Sequence, residues 1–238
     1  MPRAIPSQPW LRHLARHVPL ARAGEDPEGV HQVRIAAGRL DVWLRMRSLR
    51  VLRDDLRWLR KAAAQVRDLD VLLERRLPDG FQAWTRDERL RAHAALAGVL
   101  EAPRTTALVA ALASLPPVGR TAARDYAAGE LRELQRRGRR ITRDDATSAD
   151  MHAVRRSLRR IRYAREWLGL KTASLKALQD ELGSLNDSAV ALAHLDRSPH
   201  AQLLAEWRSE LESDVRKRLE LARAAWRGAK LAPRRSAH

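Results

Sequence analysis

The chain has 238 residues, enough for one large core or two small ones, and sets 46 Lys and Arg against 29 Asp and Glu, a formal charge of +17. A hydrophobic content of 45% excludes wholesale disorder, and the absence of cysteine excludes disulfides, thiolate metal sites and thiol nucleophiles. Only Lys61, Lys171, Lys176, Lys217 and Lys230 are lysines, so the excess is almost all arginine, whose planar fork matches phosphate oxygens two at a time. A coding bias toward arginine would account for Arg in place of Lys, but not for the net charge.

From its first residues the chain lacks the apolar stretch of a secretory signal, since MPRAIPSQPWLRHLARHV carries Arg throughout. Arginine also interrupts every apolar run before it reaches membrane-spanning length, so no transmembrane segment and a cytoplasmic location are expected. Charge alone leaves a peripheral contact with anionic lipid open. Helical period dominates from there on. Ala, Leu, Arg and Glu prevail, β-branched residues are sparse, and no stretch alternates as a strand would, which predicts an all-α helical bundle. Breaks are predicted at Gly24–Gly29, Pro78–Gly80, Pro103, Pro116–Gly119, Thr142–Ser148 and Ser198–Pro199. Arg86–Glu101 and Gln202–Arg227 have the pattern of ordinary amphipathic helices, and 230–238 that of a basic, flexible tail.

An internal repeat organises the rest. Val30-His31-Gln-Val-Arg34 through Arg39-Leu40 matches Met151-His152-Ala-Val-Arg155 through Arg160-Ile161 at an offset of 121, taken from His31 to His152. A second pair follows in the same order. Leu56-Arg57-Trp-Leu59 with Val66-Arg67-Asp68-x2-Val71 matches Leu175-Lys176-Ala-Leu178 with Leu185-Asn186-Asp187-x2-Val190, at an offset of 119 from Arg57 to Lys176. Two related halves are expected, about 8–116 and 117–229, with the join near Pro116–Gly119.

On a helical wheel, Arg155, Arg156, Arg159 and Arg162 fall with His152 inside an arc of roughly 120°. Met151, Val154, Leu158 and Ile161 occupy a separate apolar face. No acid joins the basic face before Glu166, and guanidiniums so close repel one another. A solvated basic face is the common explanation of a single charge run, but this one recurs in the other half with a His at its head. There His31, Arg34 and Arg45 share a face, while Gly38 and Asp41 stand where the second half has Arg159 and Arg162. The second half is therefore expected to hold an anion more tightly. Gly38 would let another helix or a ligand approach closely. His13, His17, His93, His194, His200 and His238 have no repeat partner and receive no role.

Asp68, Asp70 and Asp187 would suit Mg²⁺ or acid–base chemistry, but helix capping by Asp68 and Asp187, or support of nearby arginines, is the expected role. No phosphate-binding Gly-rich loop, His-Glu-x2-His or Gly-x-Ser-x-Gly motif occurs. No catalytic residue, metal ligand or cofactor is expected.

The blocks His31-Gln-Val-Arg34…Arg39-Leu40 and His152…Arg155…Leu158-Arg159-Arg160-Ile161-Arg162-Tyr163 resemble the signature of CHAD domains, the conserved-histidine α-helical domains. Val66-Arg67-Asp68-Leu-Asp70-Val71-Leu72 and Leu175-Lys176-Ala-Leu-Gln179…Leu182-Gly183-x2-Asn186-Asp187 are similar to that family's second blocks. The resemblance runs from about Leu11 to Arg227, which makes 1–229 a single such domain. It implies two four-helix bundles related by a pseudo-twofold axis, a basic groove or pore between them, and non-enzymatic binding of inorganic polyphosphate, with association with polyphosphate granules. Residue by residue it points to His31, Arg34 and Arg39, and to His152, Arg155, Arg159, Arg160, Arg162 and Lys176 with Arg57 as its repeat mate. Gly38 and Asp41 depart from the family pattern.

Nucleic acid is the alternative, secondary partner, read through its phosphate backbone. Two Tyr and one Phe give few stacking platforms, and the seven Trp fall mainly at helical core spacings. A Mg²⁺-dependent phosphohydrolase using the aspartates ranks third. Oligomeric state is not legible in the sequence.

Overall fold

The structure, a computed structural model, describes residues 4–143 and 145–229. The expected tail at 230–238 lies outside the described residues. Within them the chain is all-α: α1 (Gln8–Ala23), α2 (Pro27–Met46), α3 (Arg53–Leu73), α4 (Asp79–Glu101), α5 (Pro103–Ser114), α6 (Arg120–Ile141), α7 (Ser148–Trp167), α8 (Ala173–Arg197) and α9 (Ala205–Gly228). Every break predicted from Pro, Gly and polar clusters falls at a junction of two of these helices, with Pro103 opening α5 and Gly29 and Gly80 already inside the first turns of α2 and α4.

Two further breaks were not legible. The α2–α3 turn, 47–52, has neither Gly nor Pro and reverses through Ser48 and Leu52, both at positive φ (56° and 68°). The α7–α8 turn uses Gly169 at φ 70°, the left-handed conformation that glycine adopts at least cost. A pair of two-residue strands was also unexpected: β1 (Ala4–Ile5) runs antiparallel to β2 (Val118–Gly119), with Ile5 opposite Val118. Two residues cannot show the alternation by which a strand is recognised. Trp43, fully buried, ties this ladder to α2 by donating its indole N–H to Ile5 O at 2.9 Å.

The chain divides into two compact units, 1–126 with 193–205, and 127–192 with 206–238. This packing division and the sequence repeat are different partitions of the chain. In the first unit α1 packs on α2, α2 on α3, α3 on α4 and α4 back on α1, with α5 against α1, α3 and α4. The core is Leu14, Val33, Leu40, Leu44, Leu56, Leu59, Leu72, Phe81, Leu96 and Leu112, each at most 2% exposed. At Gly29 the α2 backbone approaches α1 so closely that a Cβ would sit 2.6 Å from Ala21 N. Gly38 is buried in the same helix.

In the second unit the α7 face expected to be apolar is buried: Met151, Val154, Leu158 and Ile161 are 5, 0, 0 and 2% exposed. α6 and α7 are joined by Arg160–Glu130 and by Arg137 donating to Ala153 O at 3.2 Å. α8 and α9 meet where Ser188 donates to Asp214. α9 returns to α6 at Gly138, which lies beneath the Trp226 indole.

A Cβ on Gly138 would fall within the Trp226 ring. Gly138→Ala should therefore destabilise the protein by about 1–3 kcal/mol through overpacking, although Ala is the better helix former by about 1 kcal/mol. Urea unfolding followed by tryptophan fluorescence checks the sign, since an unconstrained site would gain stability.

Candidate functional site

α7 opens with a capping box. Thr147 Oγ1 accepts from Asp150 N–H at 3.2 Å, and the Asp150 carboxylate accepts from Thr147 N–H at 2.9 Å. This fixes the helix start and with it the phase of everything downstream. His152 is the fifth residue of α7 and His31 the fifth residue of α2, so the two histidines of the matching sequence blocks hold the same place in their helices.

With Met151, Val154 and Leu158 turned into the core, His152 and Arg156 are exposed, while Arg155 and Arg159 are half-buried. Desolvation against the neighbouring side chains, then the charges of Arg156, Arg155 and Arg159, hold His152 below its ordinary value. Arg156 is likewise lowered, by desolvation and by Arg137 and Arg160. Like charges thus act on one another across this face, and any anion that settles there relieves the repulsion.

The other predicted cations of this half are differently placed. Arg160 is held against α6, its Nε 2.9 Å from the Glu130 carboxylate and its Nη2 2.9 Å from Ser157 Oγ. Arg162 pairs with Glu166 at 3.2 Å and lies 4.9 Å from the Tyr163 ring centre. Lys176 is exposed in the first turn of α8.

In the first half, Asp26 caps α2 by accepting Glu28 N–H at 2.8 Å, with Pro27 at the first helical position. His31 is half-buried, and its Nδ1, like Arg34 Nε, is buried without a hydrogen-bond partner. Desolvation, then Arg34, Arg67 and Arg39, lower His31, and Glu28 opposes them. Arg39 stacks over Trp10 with its guanidinium carbon 4.1 Å from the ring centre. Arg57 is exposed and pairs with Asp54.

Asp41, which in sequence only interrupts a basic pattern, is the centre of an ion cluster. Its buried carboxylate meets Arg45 at 2.9 Å, Arg53 at 3.2 Å and Arg60 at 3.7 Å, tying the end of α2 to the start of α3. Burial alone would raise its pKa, but the three guanidiniums outweigh burial and hold it below the ordinary carboxylate value. Arg45, which shares a helix face with His31 and Arg34, is thereby drawn into a structural pair. Sequence reading also passed over Arg67, which acts on His31 from α3 and pairs with Glu74 at 3.1 Å.

Asp68 and Asp187 cap no helix. They lie inside α3 and α8, which continue as single helices through residues that look like a junction in sequence. The acidic residues of the first turn of α3 are instead Asp54 and Asp55. Asp70 is buried and accepts from Arg89 Nε at 2.6 Å, while Arg89 also donates to Gly24 O at 3.2 Å. No group of three or more His, Asp or Glu among the described residues is placed to hold a metal ion. The tryptophans also depart from expectation. Only Trp43 is fully buried, while Trp10, Trp58, Trp84, Trp167, Trp207 and Trp226 are half-buried, and Arg39 and Arg104 cover the rings of Trp10 and Trp58.

The model of the CHAD domain family matches residues 8–196, most of the chain. The protein belongs to the CHAD domain family. A search of curated proteins returned no significant match. Among solved structures, the CHAD domain from the plant Ricinus communis is similar to this CHAD protein over 97% of this chain and 95% of that one, with a TM-score of 0.80 and 24% identity. PptA from Streptomyces chartreusis is similar over 94% of this chain and 95% of its own, with a TM-score of 0.74 and 23% identity. At these identities the likeness is one of fold.

Asp41→Asn would leave Arg45, Arg53 and Arg60 without their shared counter-charge, and a loss of about 3 kcal/mol is expected. Because the folded pKa lies below the unfolded value, this contribution is present above about pH 4 and lost as pH falls toward the folded pKa. Acid unfolding followed by circular dichroism should show a shallower decline below pH 4 in the variant than in the parent protein.

Proposed function

We propose that this protein binds inorganic polyphosphate without transforming it, through the basic face of α7 and its counterpart on α2. The observation that carries the reading is geometric: with Met151, Val154 and Leu158 buried, His152, Arg155, Arg156 and Arg159 share the remaining face of α7, and after desolvation the three arginines lower His152 with one sign. A run of phosphates spreads negative charge over many oxygens and can answer several guanidiniums at once, where a single carboxylate would satisfy one. His152, Arg155, Arg156 and Arg159 are the leading contacts, with Arg162 and the exposed Lys176 beside them. His31, Arg34, Arg39 and Arg57 form the lesser set, and Arg45 and Arg160 serve mainly through their ion pairs. Family membership supports the choice of ligand, and association with polyphosphate granules belongs to the same proposal.

The alternative, nucleic acid held by its backbone, draws on the same charges. The covering of Trp10 and Trp58 by guanidiniums weighs against base stacking at those rings. No sugar or base obstructs polyphosphate, so it should displace DNA at equal phosphate concentration, and binding should weaken steeply with salt. A tight, sequence-selective DNA or RNA complex that survives high salt would reverse the assignment. The phosphohydrolase reading loses Asp70 as a candidate, since Arg89 holds it, and phosphate release with Mg²⁺ remains its test.

Replacing Arg155 and Arg159 together with Ala should weaken polyphosphate binding with helicity retained, at roughly 1.5–3 kcal/mol for each charge-assisted contact removed. Arg34→Ala should cost less. Titration calorimetry with circular dichroism as the folding control decides, and unchanged affinity in a folded double variant would sink this face.

The histidines supply an independent readout. Both are lowered in the unliganded protein, and a bound polyanion raises them, so binding takes up protons. Affinity should rise as pH falls through the window between the bound and the unliganded pKa values, which begins below about 6.5 for the unliganded form. His31→Gln with His152→Gln should flatten that profile while leaving the arginine-driven affinity. An equally steep profile in the double variant would assign both histidines to packing.

A further inference from the structure

Beside the basic face of α7 the second unit contains a cavity of about 120 Å³, walled by α7, α8 and α9. Met151, Leu182, Leu185, Ala189, Val215 and Leu219 make it largely apolar, while His152, Arg155 and Asn186 add a polar side. An apolar chamber next to an arginine and a histidine does not suit polyphosphate, which has no apolar part.

The repeat shows how the chamber arises. At the offset of 119, Ala189 corresponds to Asp70, and Asn186 to Arg67. In the first unit the Asp70 carboxylate is buried and filled in by Arg89 from α4. The second unit has a methyl group at that position and faces it with Val215 and Leu219 of α9. A buried acid in the first unit thus corresponds to open apolar volume in the second, and Arg155 and His152 border it.

We propose that this cavity binds a small amphiphilic anion, a carboxylate or phosphate monoester with an apolar group of about four to six carbons. The size follows from the volume, since an apolar protein cavity of about 150 Å³ admits benzene. The charged head lies with Arg155 and His152, where the guanidinium offers paired donors, and the apolar group displaces unfavourable hydration along Leu182, Leu185 and Val215. The pocket stands on its own walls and goes beyond polyphosphate binding.

Calorimetric titration with acetate, butyrate, hexanoate and hexanol, and with inorganic phosphate against butyl phosphate, tests it. Affinity should increase about fourfold for each added CH₂ until the cavity is full. Hexanol should bind more weakly than hexanoate, and Arg155→Gln should remove that difference. Ala189→Phe should abolish the dependence on chain length while leaving polyphosphate affinity unchanged, and Val215→Phe serves if the first variant does not fold. Equal affinity for acetate and hexanoate in the unaltered protein overturns the proposal, and so does chain-length dependence that persists in a folded cavity-filling variant. The carboxylate series is read with no polyphosphate present, so its outcome is separate from that of the polyphosphate reading.

Discussion

A helix with arginine at every third or fourth position must carry that charge around the stripe it buries, and α7 distributes it unevenly. Toward α6 it sets Arg160 on Glu130, and near its end Arg162 on Glu166. At its first turns the apolar residues that must enter the core leave His152, Arg155 and Arg159 on the remaining arc. The basic face is thus a by-product of amphipathic packing as much as of composition. His152 and Arg156 are lowered there by desolvation first and by the neighbouring arginines second.

The first half solves the same problem with an internal carboxylate. Asp41 gathers three arginines, so the end of α2 and the start of α3 carry their charge in a buried network. Cation field survives nearer the head of α2, at His31 with Arg34 and Arg67. One helix pattern therefore yields a strongly basic face in α7 and a partly internalised one in α2. Burial leads at His31, His152 and His194 alike, and at His194 desolvation, with Arg197 second, lowers the imidazole to about 4.

Several features were legible because local chemistry alone fixes them. Pro27 and Pro103 begin helices because their rings fix φ, Gly24 ends one by taking a left-handed φ freely, and the apolar stripe of α7 is a matter of period. The 47–52 turn was not legible, since Ser48 and Leu52 reverse the chain at φ values their residue types do not favour and only the packing of α2 on α3 demands. Asp68 and Asp187 misled for the opposite reason. Their neighbourhood has the composition of a helix start, yet α3 and α8 run through it because both flanks bury leucines on one continuous face, Leu59 to Leu72 and Leu178 to Leu195.

By itself the sequence determined the helical class, the apolar stripe of α7 and the arc that this stripe leaves to His152, Arg155, Arg156 and Arg159. These depend on composition and on spacing along one helix. Tertiary structure decided which arginines are spent on carboxylates, since Glu130 reaches Arg160 from another helix and Arg53 and Arg60 reach Asp41 from α3. It also decided that Asp70 is filled in by Arg89 while Ala189, at the matching position, borders a cavity. Those outcomes depend on what α4 and α9 bring to the contact, and spacing within a single helix carries no record of its neighbours.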